Sequence, residues 1–159
     1  MVAVITGAGK GIGRAIAVRL ANDGYRIAVC YKNSKAEAEK TVSDIVSVGG
    51  IAKPFELDIT DSQKVNSVIA EIEKDFGEIG VLVNNAGIAE QALFTDITDE
   101  MWRKMTDTNL GGAFYCSRAV LPFMIHRKKG KIINIASIWG ETGGSCEVHY
   151  SAAKAGVIG

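Results

Sequence analysis

Apolar and polar positions along the chain follow two periods in turn. Val2-Ala3-Val4-Ile5-Thr6 is an apolar run ending at Gly7, the pattern of a strand buried on both faces. From Ile12 the apolar residues Ile12, Ala15, Ile16, Val18 and Leu20 recur at helical spacing, until Asn22-Asp23-Gly24 stops the helix. The same two patterns then repeat. Further strands are predicted over 26–30, 52–57, 79–84 and 131–136. Helices are predicted over 36–48, behind an Asp61 cap up to Phe76, and over 109–127 with Pro122 near its end. Thr98-Asp99-Glu100 caps another helix, and Tyr150 to Val157 opens a last one. Strands and helices in alternation predict an α/β fold, a Rossmann-like doubly wound parallel sheet with helices on both faces. Ligands of such sheets bind at the carboxyl ends of the strands. That points to Thr6–Gly13, Cys30–Asn33, Asp58, Asn84–Gly87 and Ser137.

Composition narrows the function. Among 159 residues, 18 basic and 18 acidic side chains balance, so no positive footprint for nucleic acid is expected. No apolar stretch approaches a membrane span, and Met1–Thr6 has neither the cationic lead nor the cleavage site of a secretion signal. Cys30, Cys116 and Cys146 show no C-x-x-C spacing, and His126 and His149 lie far apart, so neither a disulfide framework nor a metal site is expected. A reducing, cytoplasmic setting is the expectation. Eighteen glycines against two prolines suggest backbone that something approaches closely.

The glycines concentrate where a ligand would lie. Gly7-Ala8-Gly9-Lys10-Gly11-Ile12-Gly13 joins the first strand to the first helix with G-x-x-x-G-x-G spacing. Such a loop brings a pyrophosphate against backbone N–H groups at a helix amino terminus. An NAD site places a carboxylate at the end of the second strand, to hold the ribose 2′-hydroxyl. This chain has Cys30-Tyr31-Lys32-Asn33 there, and Lys32 and Lys10 offer cations suited to a 2′-phosphate. NADP(H) is therefore expected over NAD(H), which stays possible.

Tyr150 and Lys154 stand four residues apart on one helical face. A neighbouring cation lowers a phenol's pKa and suits it to passing a proton to a developing alkoxide. Spacing alone is weak evidence, since Tyr31 and Lys35 share it. Context separates the two pairs. Thirteen residues before Tyr150 is Ser137, a strand-end hydroxyl, whereas thirteen before Tyr31 is Val18, inside a helix.

The set TGAGKGIG at 6–13, NNAG at 84–87, Ser137 and YSAAK at 150–154 resembles the short-chain dehydrogenase/reductase family. The resemblance runs from residue 2 to residue 159, with four motifs in order. It implies Tyr150 as general acid/base, Lys154 lowering its pKa and holding the nicotinamide ribose, and Ser137 orienting a substrate carbonyl. It implies Asn109 as support for a proton relay through water to the lysine, and Asp58 as acceptor of the adenine amino group. Asn84, Ala86 and Gly87 fall in the stretch that supports the central strand and lines the cofactor. The cofactor-binding set it implies is Thr6, Gly7, Lys10, Gly11, Ile12, Gly13, Tyr31, Lys32, Asp58, Ile59, Asn85, Ala86 and Gly87, with Tyr150 and Lys154. On the residues themselves, the start of a turn at Asp58 and a helix cap at Asn109 stay open as the lesser alternatives.

Within the family, 107–121 and 130–154 look most like the 3-oxoacyl-[acyl-carrier-protein] reductase branch, which reduces a carrier-bound ketone with NADPH. SIWG at 137–140 and SCEVHY at 145–150 are instead similar to a reductase group acting on a 5-aminopentanone modification of elongation factor P. Family members are longer and assemble as homo-oligomers, tetramers when full length, and this chain stops nine residues after Tyr150. The expectation is a single NAD(P)-binding domain over 1–159, incomplete at its carboxyl end. A third reading is a dinucleotide-binding fragment with weak or absent turnover.

Overall fold

The computed structural model describes residues 1–159. Its centre is a five-stranded sheet of order β3-β2-β1-β4-β5, every pairing parallel. The strands are β1 (Val2–Thr6), β2 (Arg26–Tyr31), β3 (Ala52–Glu56), β4 (Ile79–Asn84) and β5 (Lys131–Asn134). The helices between them are α1 (Gly11–Asn22), α2 (Lys35–Ser47), α3 (Ser62–Glu71), α4 (Asp99–Thr106) and α5 (Gly112–Arg127). Two more, α6 (Trp139–Thr142) and α7 (Val148–Ile158), follow β5. None is long and apolar enough to cross a membrane.

The period-2 alternation of the strands sorts the core into two layers. Ala3 and Ile5 of β1 pack with Ala17 of α1 and with Ala38 and Ile45 of α2. Val2 and Val4 point the other way, onto Val65, Val68 and Ile69 of α3 and Cys116, Val120 and Met124 of α5. Both faces of the central strands are thus covered, as parallel sheets require. The caps read from the sequence are present. The Asp61 carboxylate accepts from the N–H groups of Gln63 and Lys64, and the Thr98 hydroxyl accepts from Met101 N–H.

Some predicted boundaries move. β5 ends at Asn134 rather than 136. Ile135 still donates to Asn84 O at 2.9 Å, but its own carbonyl accepts from the Lys154 ammonium at 2.7 Å, and the ladder stops. Ser137 therefore lies beyond the strand, ahead of α6, a short helix the apolar pattern does not announce. The helix predicted over 109–127 begins only at Gly112, because Asp107–Gly111 forms a wider π-turn. There Asn109 Nδ2 donates to Met105 O at 3.0 Å, taking up a carbonyl of the preceding turn. π-turns of this kind concentrate at functional sites. β3 ends at Glu56, one residue early, α2 begins at Lys35, and α7 begins two residues ahead of Tyr150. β5 is also more exposed than a core strand, Ile133 standing 45% exposed, and it forms an edge of the sheet.

One ion pair closes the far end of the sheet. Arg127, at the end of α5, pairs with Glu73, and Arg127 Nη2 also donates to Ile79 O at 2.9 Å. Glu73 in turn accepts from Ile79 N–H at 2.9 Å, so one carboxylate fixes the start of β4 and the end of α5. With side-chain exposures of 22% and 13%, loss of one partner leaves a shielded charge uncompensated. Glu73→Ala is expected to lower unfolding free energy by about 3 kcal/mol in urea titrations. A loss below about 1 kcal/mol would class the pair with solvated surface bridges.

Candidate active site

β1 and β4 diverge at their carboxyl ends, where the strand order reverses direction. The Thr6 hydroxyl accepts from Asn85 N–H at 3.0 Å and Ala86 N–H at 2.9 Å. Asn85 Nδ2 returns two bonds, to Thr6 O at 2.9 Å and Gly7 O at 3.2 Å. On the other side, Ala8 N–H donates to Cys30 O at 3.0 Å, drawing the loop toward β2. A cleft of about 660 Å³ opens between these ties. Of the predicted cofactor set, Thr6, Gly7, Lys10, Tyr31, Lys32, Asp58, Ile59, Asn85, Ala86 and Gly87 line it.

The glycine loop is shaped for close approach. Gly7 and Gly11 have φ of +65° and +55°, the left-handed region that other residues rarely adopt. At Gly13 a Cβ would collide with the Gly7 carbonyl and the Asn85 amide, so α1 packs against its own loop. The first turn of α1 contains no carboxylate, and Lys10 at its N-cap makes no side-chain cap. The positive end of the helix is therefore left for an anion. Gly11, Ile12 and Gly13 lie outside the cleft lining but build this turn, with Ile12 exposed on it. Loop, helix terminus and cleft volume together fit a dinucleotide.

A second cluster lies past the Gly87 end of the cleft. A Cβ on Gly87 would sit 3.8 Å from Lys154 Nζ and in collision with Asn109 Oδ1. Asn109 is buried. Its Oδ1 accepts from Ile88 N–H at 3.2 Å and its Nδ2 donates to Ile88 O at 3.0 Å, clamping the segment after Gly87 to the π-turn. Asn109 is thus an internal bracket rather than a helix cap. Lys154 is only 6% exposed, and its Nζ lies 5.9 Å from the centroid of the Tyr150 ring, with Ile135 O as its one acceptor. Burial pushes the Lys154 pKa below the ordinary lysine value. Ser137 is half-buried ahead of α6, its hydroxyl accepting from Trp139 N–H at 3.3 Å. Asn109, Ser137, Tyr150 and Lys154 do not line the cleft itself.

The second Tyr–Lys pair comes apart. Tyr31 is buried at the end of β2, while Lys35 points outward, 3.9 Å from Glu39. Burial also pushes the Cys116 thiol up to about 12 and raises Cys30 as well, so neither acts as a nucleophile.

Sequence reasoning left out several residues. Lys104 and Thr108 line the cleft from α4 and the π-turn, and the sheet-end rule gives no signal for them. Lys32 is not a free cation: its ammonium lies 2.6 Å from Asp58 Oδ2. His149, just ahead of Tyr150, is fully buried with neither ring nitrogen hydrogen-bonded, and nothing in the apolar pattern marks it.

The family profile described as "short chain dehydrogenase" matches residues 1–159. The chain belongs to the short-chain dehydrogenase family. Within it, the chain is 41% identical over 157 residues to the 3-oxoacyl-[acyl-carrier-protein] reductase FabG of Staphylococcus aureus, covering 99% of this chain and 64% of the relative. A 3-oxoacyl-[acyl-carrier-protein] reductase from Synechocystis is 41% identical over 158 residues, at the same coverage. The Escherichia coli FabG is 40% identical over 159 residues, covering 63% of that protein. The chain thus spans under two thirds of the length of these relatives. A crystal structure of a candidate gluconate dehydrogenase from Agrobacterium tumefaciens superposes with a TM-score of 0.94 at 32% identity, over 98% of this chain and 61% of the other.

The lowered Lys154 pKa carries a stability consequence. The folded state binds this proton more weakly than the unfolded chain does, so stability rises with pH between the lowered value and the ordinary 10.5. Denaturant unfolding at stepped pH is expected to show this gain in the native chain and not in Lys154→Met. Parallel curves would show that the ammonium titrates normally.

Proposed function

We propose that this chain carries the cofactor and proton-transfer machinery of an NADP(H)-dependent oxidoreductase that reduces a ketone to a secondary alcohol, with a 3-oxoacyl thioester as substrate. The observation that carries the reading is the convergence of Lys154, the Tyr150 ring and the Gly87–Asn109 clamp beyond one end of the cleft. The other end is built for phosphate. Thr6, Gly7, Lys10, Gly11, Ile12 and Gly13 would hold the pyrophosphate end of the cofactor. Tyr31, Lys32, Asp58 and Ile59 would surround the adenosine, and Asn85, Ala86 and Gly87 would run beneath the rest. Bound there, the cofactor supplies a hydride.

The chain's own residues manage the proton and the substrate. Lys154 is a buried cation whose only acceptor is a neutral carbonyl, so its charge is uncompensated and acts on the nearby phenol. Tyr150 then serves as the acid that protonates the developing alkoxide oxygen. Ser137 donates to the substrate carbonyl and orients it. Asn109 acts by holding the π-turn and the Ile88 segment in place, which supports a water relay to Lys154. Similarity to the FabG relatives supports a 3-oxoacyl thioester, with a carrier protein as the substrate's bearer. Phe114, Leu121 and Ile125, exposed along α5, support assembly of the whole protein into a homo-oligomer.

The test is NADPH oxidation by the polypeptide bearing these residues, with acetoacetyl thioester as acceptor. Turnover is expected, with NADPH bound more tightly than NADH. Tyr150→Phe should keep NADPH affinity and lose turnover by at least about a hundredfold. Normal turnover in that variant would overturn the assignment of the acid. Reduction of only an amine-bearing ketone on a modified protein would replace the thioester.

A further inference from the structure

Lys32 and Asp58 meet because of strand register. β2 and β3 pair with Tyr31 opposite Glu56, and Leu57 N–H donates to Tyr31 O at 2.7 Å. The residues just past the two strands are therefore neighbours at the rim of the cleft. Thr60 locks the carboxylate from below: its N–H and its hydroxyl both donate to Asp58 Oδ1, at 3.0 and 2.7 Å. That oxygen is filled, and Oδ2 faces Lys32 Nζ at 2.6 Å. Both side chains line the cleft and remain partly open to solvent, at 55% and 32% exposure.

We infer that Asp58 is the internal competitor for Lys32, so that the two residues set 2′-phosphate discrimination with opposite signs. The inference rests on the NADP(H) reading above. An ammonium between two anions divides its attraction. With the cleft empty, Asp58 holds Lys32; a 2′-phosphate must draw it away, against the repulsion of the carboxylate left behind. A cofactor lacking that phosphate leaves the pair intact. Exposed pairs are weak, which makes this one breakable rather than structural. Release of Lys32 also frees Oδ2 to accept a donor, so phosphate capture and base reading exchange places on one oxygen.

A structural ion pair behaves differently, since cutting it from either side has the same effect. Here the two cuts diverge. Asp58→Asn keeps an acceptor for Thr60 and removes the competing charge. Its ratio Kd(NADH)/Kd(NADPH) is expected to rise roughly two- to fivefold, the range of an exposed ion pair. Lys32→Gln removes the cation, and the same ratio should fall roughly tenfold, as for a lost charged hydrogen bond. Fluorescence or calorimetric titration reads both without turnover. Adenosine 2′,5′-bisphosphate against 5′-AMP probes this end of the cleft alone and should follow the same directions. A ratio that is unchanged or lowered in Asp58→Asn, with native preference for NADPH, would overturn the competition and leave the cofactor reading standing. Equal or tighter NADH binding by the native chain would overturn both.

Discussion

The site depends on how β1 and β4 part. Neighbouring parallel strands stay paired as far as their ladder bonds reach, and a crevice opens only where the chain leaves them in opposite directions. Here the parting is fixed by side chains. Thr6 and Asn85 exchange four bonds with the backbones of each other's segments, so the two loops diverge from a common anchor. Ala8 N–H, bound to Cys30 O, sets the other boundary. The contact between Gly13 and the Gly7 carbonyl then packs α1 onto the loop, placing its positive terminus beside the cleft. Were this anchor loosened, both the α1 end of the cleft and its Gly87 end would shift together.

Past the Gly87 end of the cleft, regular backbone bonding gives way to side-chain bonds. Ile135 gives its N–H to the sheet and its carbonyl to Lys154. Asn109 takes a carbonyl from the turn before it and both backbone groups of Ile88. Each trade interrupts a regular element, β5 in the first case and the α4–α5 helical run in the second. In return, three segments distant in sequence are locked around one ammonium. The buried Asn109 amide, with its oxygen and both its hydrogens bonded, fixes the segments on its side in a single arrangement.

These trades explain which features the sequence displays. β1, β2 and β4 are legible because burial on both faces demands continuous apolar residues, and the Asp61 and Thr98 caps are legible because capping is local. The end of β5 is not, since the carbonyl that stops it is taken by a side chain nineteen residues away. The π-turn at 107–111 leaves no mark on apolar periodicity, and α6 is too short to show a period at all. The glycine loop and the Tyr150–Lys154 pair were legible as a set. The Tyr31–Lys35 decoy shows why spacing alone fails: the same offset placed across a strand end sends one side chain into the core and the other into solvent. The Lys32–Asp58 pair depends on the register of β2 against β3, which composition does not encode.

Three cations near this sheet are treated in three ways, and burial decides which. Arg127 is shielded and paired with a shielded carboxylate, a contact whose loss strands a charge and so serves the fold. Lys32 is exposed and paired with a half-buried carboxylate, a contact that solvent weakens and that, on the competition inferred above, a ligand would exchange. Lys154 is buried with no carboxylate partner, and a single peptide carbonyl holds it. A carboxylate there would have raised its pKa and stabilised the fold, but it would also have cancelled the field at Tyr150. The lowered pKa of Lys154 thus goes with a buried charge that no carboxylate compensates, about 6 Å from the Tyr150 ring, where the proposed proton transfer would draw on it.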